Sequence, residues 1–440
     1  MNGFVVETIR QKIADFGIVG AGGAGFPTHV KLNSQPEYVI LNAAECEPLL
    51  HKDKELLLHH TDSVLNGMQT VMQLTGARQG IVAVKEKYKE LISYLKPELN
   101  ENLMLCPIGD FYPAGDEFTL VYLTTGRVVQ PGQLPVSQGC VVQNVETVMN
   151  IGLGRPVVDT FFTVAGAVKE PATVSVPVGT LFQDVLAQFE ITTRNYVIRA
   201  GGLMMGWVQE DLEAPVTKTT GGLIVLPSDH HCVTMYNRFK EPQDTIRIAR
   251  AGCDQCNFCT EFCPRYLLGH PVRPETAMRN RMFSPPDEPA AHLGNAFCCE
   301  CNLCTMYACP ESLDPTGSTV IEKRILRQDE KKWEGLPVKP HPMMDYRKVP
   351  TKKLMQRLDV LQFNNTGPLT QIDFAPSRVN IPLKQHIGAP AVPVVSKGDK
   401  VSRFDQIAKA QGEISAPVHA SIDGVVTEVN DVSILIQRSV

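Results

Sequence analysis

Cysteine offers the most chemistry in this sequence, and its spacing is far from even. The 440-residue chain holds 13 cysteines, and eight of them fall into two runs. The first run has the spacing C-x2-C-x2-C-x3-C and comprises Cys253, Cys256, Cys259 and Cys263. The second run has one more residue before its last member and comprises Cys298, Cys301, Cys304 and Cys309. A proline follows each run, as in bacterial ferredoxins, whose thiolates bind iron-sulfur clusters. The sequence therefore predicts two 4Fe-4S clusters.

The ferredoxin pattern also predicts how the ligands are shared. In two-cluster ferredoxins the fourth cysteine of a run binds the cluster of the other run. We therefore expect Cys309 to complete the first cluster and Cys263 to complete the second. A pair of zinc sites is the alternative, but zinc ligands usually form two pairs separated by a longer loop. Cys299 lies too close to Cys301 for the repeat, so Cys298 is preferred as the ligand.

The rest of the composition limits the class of protein. The scattered Cys46, Cys106, Cys140 and Cys232 are interpreted as buried free thiols. The odd cysteine count and the lack of a signal-peptide pattern at the N-terminus argue against a secreted disulfide protein. The net charge of −5 argues against nucleic acid as a partner. No apolar run reaches the ~18 residues that a membrane span needs. We therefore expect a cytoplasmic protein without a membrane span.

A second chemical signal is a glycine-rich stretch near the N-terminus. Residues 17–25 contain five glycines in nine positions. Glycine lets the backbone approach a ligand closely and offers N–H groups to phosphate. The apolar spacing of Val5, Ile9, Ile13 and Phe16 predicts a helix before this loop, whereas an ordinary dinucleotide-binding fingerprint follows a strand. The glycines alone support a phosphate-binding loop and a purely structural loop equally.

Three further segments decide between these two interpretations. They are Asn-Ala-Ala-Glu-Cys-Glu-Pro at 42–48, Tyr-Pro-Ala-Gly-Asp-Glu at 112–117 and Val-Val-Gln-Asn-Val-Glu-Thr at 141–147. Together with the glycine loop they closely resemble the flavin-binding segments of the NADH-oxidising flavoprotein subunit of respiratory complex I and of RnfC electron-transport subunits. The resemblance implies that residues 1–154 form a complex I flavoprotein-like domain that binds FMN and NADH.

The same resemblance implies which residues form the site. The implied cofactor-binding residues are Gly20, Gly22, Gly23, Gly25, Phe26, Lys31, Asn42, Glu45, Glu47, Tyr112, Gly115, Asp116, Glu117 and Asn144. Glu45, Glu47 and Phe26 are expected to act in catalysis, with Phe26 bordering the nicotinamide pocket. Asp116 stands where the complex I subunits have Glu.

The remaining sequence predicts a multi-domain fold of the α/β plus α+β class. Residues 155–230 alternate short β-rich runs with turns and resemble an SLBB β-grasp module. Residues 240–332 are expected to form a helical ferredoxin-like two-cluster domain, and residues 333–384 an extended connector. Residues 385–440 resemble a barrel-sandwich hybrid, the fold of biotinyl and lipoyl carriers. Lys409 is the local candidate for a carrier lysine, but it lacks the usual flanking residues. RnfC proteins carry such a domain at the N-terminus.

In this domain order the chain resembles, nearly end to end, the cobalamin reductases of propanediol-utilising bacterial microcompartments. The resemblance implies that electrons pass from NADH through FMN and two 4Fe-4S clusters to cob(II)alamin. The implied partners are NADH, cobalamin or a cobalamin-handling enzyme such as an adenosyltransferase, and a microcompartment shell protein. The sequence contains no Asp-x-His-x-x-Gly cobalamin-binding motif, so we expect the corrinoid to dock transiently.

Two points stay open on the sequence alone. The alternative function is an electron-transfer subunit that relays electrons across a microcompartment shell or to a glycyl-radical enzyme pathway. The N-terminal amphipathic helix is expected to pack on its own flavin domain, and docking to a shell protein is the alternative.

Overall fold

The chain is described by a computed structural model that covers residues 3–238, 242–283, 291–328 and 334–439. Its first domain is built on a parallel sheet of order β3–β2–β1–β5. The strands of this domain are β1 (Tyr38–Ala43), β2 (Gln79–Lys85), β3 (Leu103–Ile108), β4 (Phe111–Tyr112) and β5 (Cys140–Asn144). Apolar residues on the two faces of the sheet belong to two separate cores, with Val39 and Leu41 in one and Ile40 and Val142 in the other. The sheet is therefore buried on both faces, as its nearly continuous apolar runs require.

Helices cover this sheet, and two of them touch backbone to backbone. The helices are α1 (Gly3–Asp15), α2 (Thr28–Lys31), α3 (Lys52–His59), α4 (Thr61–Thr75), α5 (Lys89–Leu95), α6 (Glu117–Thr125) and α7 (Val145–Leu153). A Cβ on Gly67 of α4 would lie 1.9 Å from the Val148 carbonyl oxygen of α7. Helix α1 packs through Ile13, Val6 and Ile9 on the core of its own domain. This is the first of the two alternatives that the sequence left open for the helix.

A mixed sheet with one short helix follows the flavin-type domain. Its elements are β6 (Asp159–Gly166), β7 (Ala172–Pro177), α8 (Phe182–Leu186), β8 (Tyr196–Ala200), β9 (Trp207–Gln209) and β10 (Gly222–Pro227). The strand order is β7–β6–β10–β8–β9, and only the β6–β10 pair is parallel within this sheet of the described chain. Phe162, Val174, Val185 and Leu223 form its core. This arrangement agrees with the predicted β-grasp fold.

The cysteine-rich region is helical, as predicted. Its helices are α9 (His231–Arg238), α10 (Pro242–Gly252), α11 (Phe258–Glu261), α12 (Pro264–Leu267), α13 (Pro274–Phe283) and α14 (Pro315–Gln328), with 3-10 and π turns at Leu293–Phe297 and Cys304–Ala308. Glu322 of α14 is fully buried, and it accepts hydrogen bonds of 2.7 Å each from Asn280 and Asn295. A buried carboxylate with satisfied acceptors holds these segments together.

The segment predicted as a connector runs across three domains. Its β11 (Val349–Pro350) pairs with β4 of the first domain, and α15 (Thr351–Arg357) follows. Leu369 then bridges to Thr173 of the β-grasp sheet. Val349, Leu354 and Leu358 are buried in a core shared with Tyr112 and Cys301. This segment is therefore packed along much of its length and holds the domains against one another.

Two small antiparallel sheets form the C-terminal domain. The strands are β12 (Arg378–Pro382), β13 (Val392–Pro393), β14 (Lys400–Val401), β15 (Gln406–Lys409), β16 (Val418–His419), β17 (Gly424–Val429) and β18 (Ser433–Arg438). The sheets have the orders β12–β18–β17–β14 and β13–β15–β16, and they enclose one apolar core. This is the barrel-sandwich architecture expected from the sequence. The multi-domain fold class is confirmed.

The C-terminal domain lies directly behind the glycine loop. A Cβ on Gly25 would lie 2.8 Å from the Gln385 carbonyl oxygen. The buried Lys218 of the β-grasp domain donates hydrogen bonds from Nζ to the carbonyl oxygens of Gly17, at 2.8 Å, and Pro417, at 3.3 Å. Three domains therefore meet at this point. Over the described ranges, none of the helices is both long and apolar enough to cross a bilayer.

Candidate flavin and cluster site

The candidate site lies at the carboxyl end of the parallel sheet. Strands β1 and β5 are neighbours, and Asn42 and Asn144 are paired in register at their ends. Ligands of open α/β sheets bind outside the carboxyl ends of the strands. The topology thus brings together two segments that are about a hundred residues apart in the sequence.

All of the cofactor-binding residues implied by the sequence line one cleft of about 690 Å³ at this edge. The first domain supplies the glycine loop, the ends of β1, β4 and β5, and the start of α6. The β-grasp domain supplies Gly201, Met205, Trp207, Thr219 and Gly221 to the same cleft. The cleft is therefore an interdomain site, with a volume in the usual range for cofactor pockets.

The glycine loop is held closed by hydrogen bonds to its backbone. The Gly20 N–H donates to the Phe26 carbonyl oxygen at 3.0 Å, and the Ala21 N–H donates to Thr147 Oγ1 at 2.9 Å. Lys52 Nζ donates to the Ala21 carbonyl oxygen at 3.2 Å and to Glu146 at 3.0 Å. Burial alone would lower the pKa of Lys52, but Glu146 and Asp53 raise it above its usual value. A charged Lys52 thus links the glycine loop to Glu146 of α7.

Two carboxyl groups in the cleft wall are held partly protonated near neutral pH. Burial raises the pKa of Glu45 to about 7, and the neighbouring Asp53 adds to this effect. Burial also raises the pKa of Glu47 to about 7, although its carboxylate accepts hydrogen bonds of 2.8 Å each from the Met204 and Met205 N–H groups. Glu47 therefore binds the β-grasp loop, in addition to lining the cleft.

Two cleft residues also cap helices. Asn144 accepts a hydrogen bond from the Glu146 N–H at the start of α7, and Asp116 accepts one from the Thr119 N–H at the start of α6. Lys31 donates to Glu117 at 2.9 Å and to the Val142 carbonyl oxygen at 2.6 Å. These contacts fix the side chains before any ligand binds.

The donor groups of the cleft fit a flavin mononucleotide. Gln143 on β5 is 4% exposed, and within the described residues its Nε2 has no hydrogen-bond partner. This amide lines the cleft, where a flavin ring would offer carbonyl acceptors. A Cβ on Gly23 would meet no atom within 4 Å, so a ligand can approach the backbone of the loop. The glycine loop would hold the phosphate and Gln143 the ring.

The cysteines of the first predicted cluster set surround one small cavity. It is lined by Cys253, Cys256, Cys259 and Cys309, which includes the fourth cysteine of the second run. Across the described ranges no three Cys, His, Asp or Glu side chains converge closely enough to hold a single metal ion. Thiolates arranged around a cavity suit a multi-iron cluster, because each thiolate then binds a different iron.

The pKa values of the second predicted cysteine set indicate which of its thiols lie close together. Burial raises the pKa of the Cys263 thiol well above its usual value, and Cys298 and Cys299 raise it further. Burial likewise raises the pKa of Cys304, with contributions from Cys298, Cys259 and Cys263. Cys263 therefore lies beside the second run, and Cys304 lies near both sets. This proximity supports the exchange of the fourth ligands between the runs.

The second cysteine set reaches the flavin cleft. Cys299 and Cys301 line the cleft, and Tyr112 donates a hydrogen bond from its hydroxyl to the Cys301 carbonyl oxygen at 2.7 Å. Arg265, two residues after Cys263, forms a bidentate ion pair with Asp116 at 2.6 and 2.9 Å. The cleft and the second cysteine set thus share a wall, which is the proximity that electron transfer requires.

Comparisons with known proteins agree with this geometry. Residues 13–153 match the Nuo51 FMN-binding domain, residues 252–314 match a 4Fe-4S dicluster domain, and residues 362–440 match the RnfC barrel sandwich hybrid domain. The chain is 41% identical to Cobalamin reductase PduS of Citrobacter freundii over 98% of this chain and 97% of that protein. The chain belongs to the PduS family. It carries an FMN-binding flavoprotein domain and 4Fe-4S chemistry, and it is an oxidoreductase.

Two more distant proteins share parts of this PduS-type chain. A component of the Na⁺-translocating ferredoxin:NAD⁺ oxidoreductase complex of Acetobacterium woodii is 32% identical over 59% of this chain and 58% of that protein. The crystal structure of an NAD⁺-reducing [NiFe]-hydrogenase in the H₂-reduced state is 19% identical. It has a TM-score of 0.50 and covers 74% of this chain and 63% of the hydrogenase chain, so it supports the fold.

Sequence reasoning missed several residues of this site in the PduS-family chain. Lys52, Asp53 and Thr147 line the cleft, but each is an ordinary polar residue in a helix. Gln143 lies in the segment 141–147, which resembles a flavin-binding segment, so the resemblance could have predicted this residue. Trp207 lines the cleft and Arg265 pairs with the cleft residue Asp116, and both come from other domains, so no local pattern predicts either contact.

Proposed function

We propose that this protein is an NADH-dependent flavo-iron-sulfur reductase that transfers electrons to cob(II)alamin. The observation that carries the proposal is one cleft whose wall combines FMN-type residues with Cys299 and Cys301 of the cluster domain. Likeness to PduS supports cobalamin as the acceptor. Each NADH would supply the electrons for two cob(II)alamin molecules and release NAD⁺ and one proton.

The cofactors supply the redox chemistry, and the chain supplies their environment. FMN, when bound, takes up a pair of electrons and can give them up singly, as one-electron clusters require. We assign the phosphate of FMN to Gly20, Gly22, Gly23 and Gly25, with Lys52 holding the loop. Asn42, Gln143 and Asn144 would orient the ring, and Phe26 would border the nicotinamide. Glu45, with a pKa of about 7, is placed to hold or release a proton at the ring.

The proposed cluster ligands keep the exchange between the runs. Cys253, Cys256, Cys259 and Cys309 would bind one cluster, and Cys298, Cys301, Cys304 and Cys263 the other. Cys299 would remain a free thiol beside the second cluster. Arg265 would act as a positioning residue, because it joins the cluster domain to Asp116 in the cleft.

We further propose domain limits and a location. The FMN domain would comprise residues 1–154, the SLBB β-grasp module 155–230 and the cluster domain 240–332. The segment 333–384 would connect them to a barrel-sandwich domain of residues 385–440. The end of this connector, β12, pairs with β18 and so extends the sheet of that domain. Likeness to PduS supports residence in a bacterial microcompartment, where an adenosyltransferase and a shell protein are the expected partners.

Reduction of the corrinoid itself tests this function. Protein reconstituted with FMN and iron-sulfur clusters should oxidise NADH and convert cob(II)alamin to cob(I)alamin under anaerobic conditions. The product is followed by its absorption spectrum, and an artificial acceptor serves as the positive control. Oxidation of NADH with the artificial acceptor but no cob(I)alamin would overturn the proposed acceptor.

The electron-relay alternative makes a different kinetic prediction. Mixing the reconstituted protein with NADH in a stopped-flow instrument should bleach the flavin within the turnover time. A Cys256→Ala variant should keep this step and slow the onward transfer, because Cys256 lies in the cluster set and not in the cleft. A flavin that NADH does not reduce would favour a passive relay.

A further inference from the structure

The mouth of the flavin cleft carries large apolar side chains that face solvent. Met205 is 58% exposed, Trp207 is 50% exposed and Phe26 is 37% exposed, and all three line the cleft. Phe26 comes from the glycine loop, whereas Met205 and Trp207 come from the β-grasp domain. Exposed large apolar side chains that line a cleft are typical of ligand-binding sites.

The β-grasp loop that carries these residues is held in place. The Glu47 carboxylate accepts hydrogen bonds from the Met204 and Met205 N–H groups at 2.8 Å each. Arg199 is 5% exposed, and it donates a hydrogen bond to the Leu203 carbonyl oxygen at 3.3 Å and another to the Gly206 carbonyl oxygen at 2.5 Å. Two hydrogen-bonding side chains thus fix this loop at both ends. A fixed indole is a rigid platform for a planar ring, because little entropy is lost when it stacks.

The shape of a nicotinamide dinucleotide indicates which of its two rings would lie on the Trp207 indole. A nicotinamide dinucleotide has one ring at each end of a flexible diphosphate. When the nicotinamide lies over a flavin inside the cleft, the adenosine half must run outward to the mouth. The flat face of the Trp207 indole suits a purine base, since bases stack well on aromatic side chains.

The charges of the cleft distinguish between the two dinucleotides. Its lining includes five carboxylates, Glu45, Glu47, Asp53, Asp116 and Glu117, against the lysines 31 and 52. Both lysines are already paired with carboxylates. The lining contains no arginine among the described residues, and arginine is the residue that accommodates the additional phosphate of NADPH. The mouth therefore suits NADH.

We propose that Trp207, with Met205 beside it, forms a binding platform for the adenine ring of NADH at the mouth of the flavin cleft. This inference rests on NADH as the electron donor. It gives the β-grasp domain a direct role in substrate binding.

Substrates with and without the adenylate half test the platform in the reconstituted holoenzyme. We compare Trp207→Ala and Trp207→Phe with wild type, using NADH and reduced nicotinamide mononucleotide as donors and an artificial acceptor. Loss of the indole should raise the KM for NADH by about 5- to 150-fold, the range of base–aromatic stacking. The KM for the mononucleotide and the FMN content should stay unchanged, and Trp207→Phe should recover most of the affinity.

ADP-ribose gives a binding measurement that is independent of electron transfer. Its inhibition constant against NADH should rise in Trp207→Ala by the same factor as the KM. Tyr346→Ala is a matched control, because Tyr346 is 78% exposed and lies outside the cleft lining. An equal change with both donors, or no change with either, would overturn the platform. So would a raised KM for cob(II)alamin alone, which would place the corrin there. Failure of wild type to oxidise NADH would instead refute the proposed function.

Discussion

The buried ion pair between Arg265 and Asp116 should be a main energetic link between the cluster domain and the flavin cleft. The two side chains are 8% and 13% exposed, and the guanidinium lies 4.1 Å from the Phe118 ring centroid. Breaking a buried pair by removing one partner typically costs about 3–5 kcal/mol, because the other charge stays buried and unpaired. We therefore expect this cost for Arg265→Gln and for Asp116→Asn.

The remaining contacts predict which of the two variants is worse. After Arg265→Gln, Asp116 keeps hydrogen bonds from the Thr119 N–H and Oγ1, each 3.0 Å long. After Asp116→Asn, Arg265 loses one of the two oxygens that accept its hydrogen bonds, and its buried charge has no opposite charge beside it. Arg265→Gln should thus cost about 3 kcal/mol and Asp116→Asn about 5 kcal/mol. The double variant should cost less than their sum.

Urea unfolding followed by the fluorescence of released FMN measures these free energies. Arg127→Gln is a suitable control, because Arg127 and Glu37 form a 2.6 Å ion pair with exposures of 35% and 41%. An exposed pair of this kind contributes less than about 1 kcal/mol. If the two buried substitutions add to within about 0.5 kcal/mol, the pair does not couple the two domains.

Three other predictions concern the clusters and the buried ionisable groups. Cys263→Ser and Cys298→Ser should remove the same cluster signal from electron paramagnetic resonance spectra, whereas Cys309→Ser should remove the other. If Cys298→Ser and Cys309→Ser instead remove the same signal, and Cys263→Ser removes the other, the ligands are not exchanged between the runs. The raised pKa of Glu47, about 7, means that the folded state binds more protons than the unfolded state, so stability should fall as pH rises from about 4.5 to 7. Urea unfolding across this window should show a smaller fall in Glu47→Gln, and an unchanged fall would contradict the assignment. Burial lowers the pKa of Lys218 to about 7, so its contribution to stability should be lost as pH falls from its unfolded value of 10.5 through 7. As the pH falls through that range, Lys218→Met should lose less thermal stability than wild type, and a wild-type slope would refute this.

The residues that could be predicted from the sequence are those whose ligand contacts are set by local spacing. The cysteine runs place three thiols on one loop and need no distant partner to be recognised. The glycine loop was recognised as a cofactor site only together with the segments 42–48, 112–117 and 141–147. Trp207 differs, because it reaches the cleft through the packing of one domain on another. Arg265 contacts the cleft residue Asp116 through the same kind of packing. Glu47 was predicted to line the cleft, but its hydrogen bonds to the β-grasp loop depend on that same packing.

The backbone of the segment 333–384 also depends on distant partners that the local sequence does not predict. Its composition of Pro, Lys and Asp predicts an extended connector, and most of it has neither helix nor strand. Strand β11, however, forms by pairing Val349 with Tyr112, and β12 by pairing Arg378 with Gln437. Such short strands form only because a distant strand supplies the hydrogen bonds. A pattern of a few residues does not identify that distant strand, so the sequence does not predict these strands.

The contact between the C-terminal domain and the glycine loop bears on how such chains are rearranged in evolution. Pro417 and Gly17 both contact the Lys218 ammonium group, so the barrel-sandwich domain lies close to the start of the flavin domain. A domain in that place can be joined to either end of the flavin and cluster unit without moving in space. Joining the barrel-sandwich domain ahead of the flavin domain would then change the connection and leave its contact with Lys218 in place.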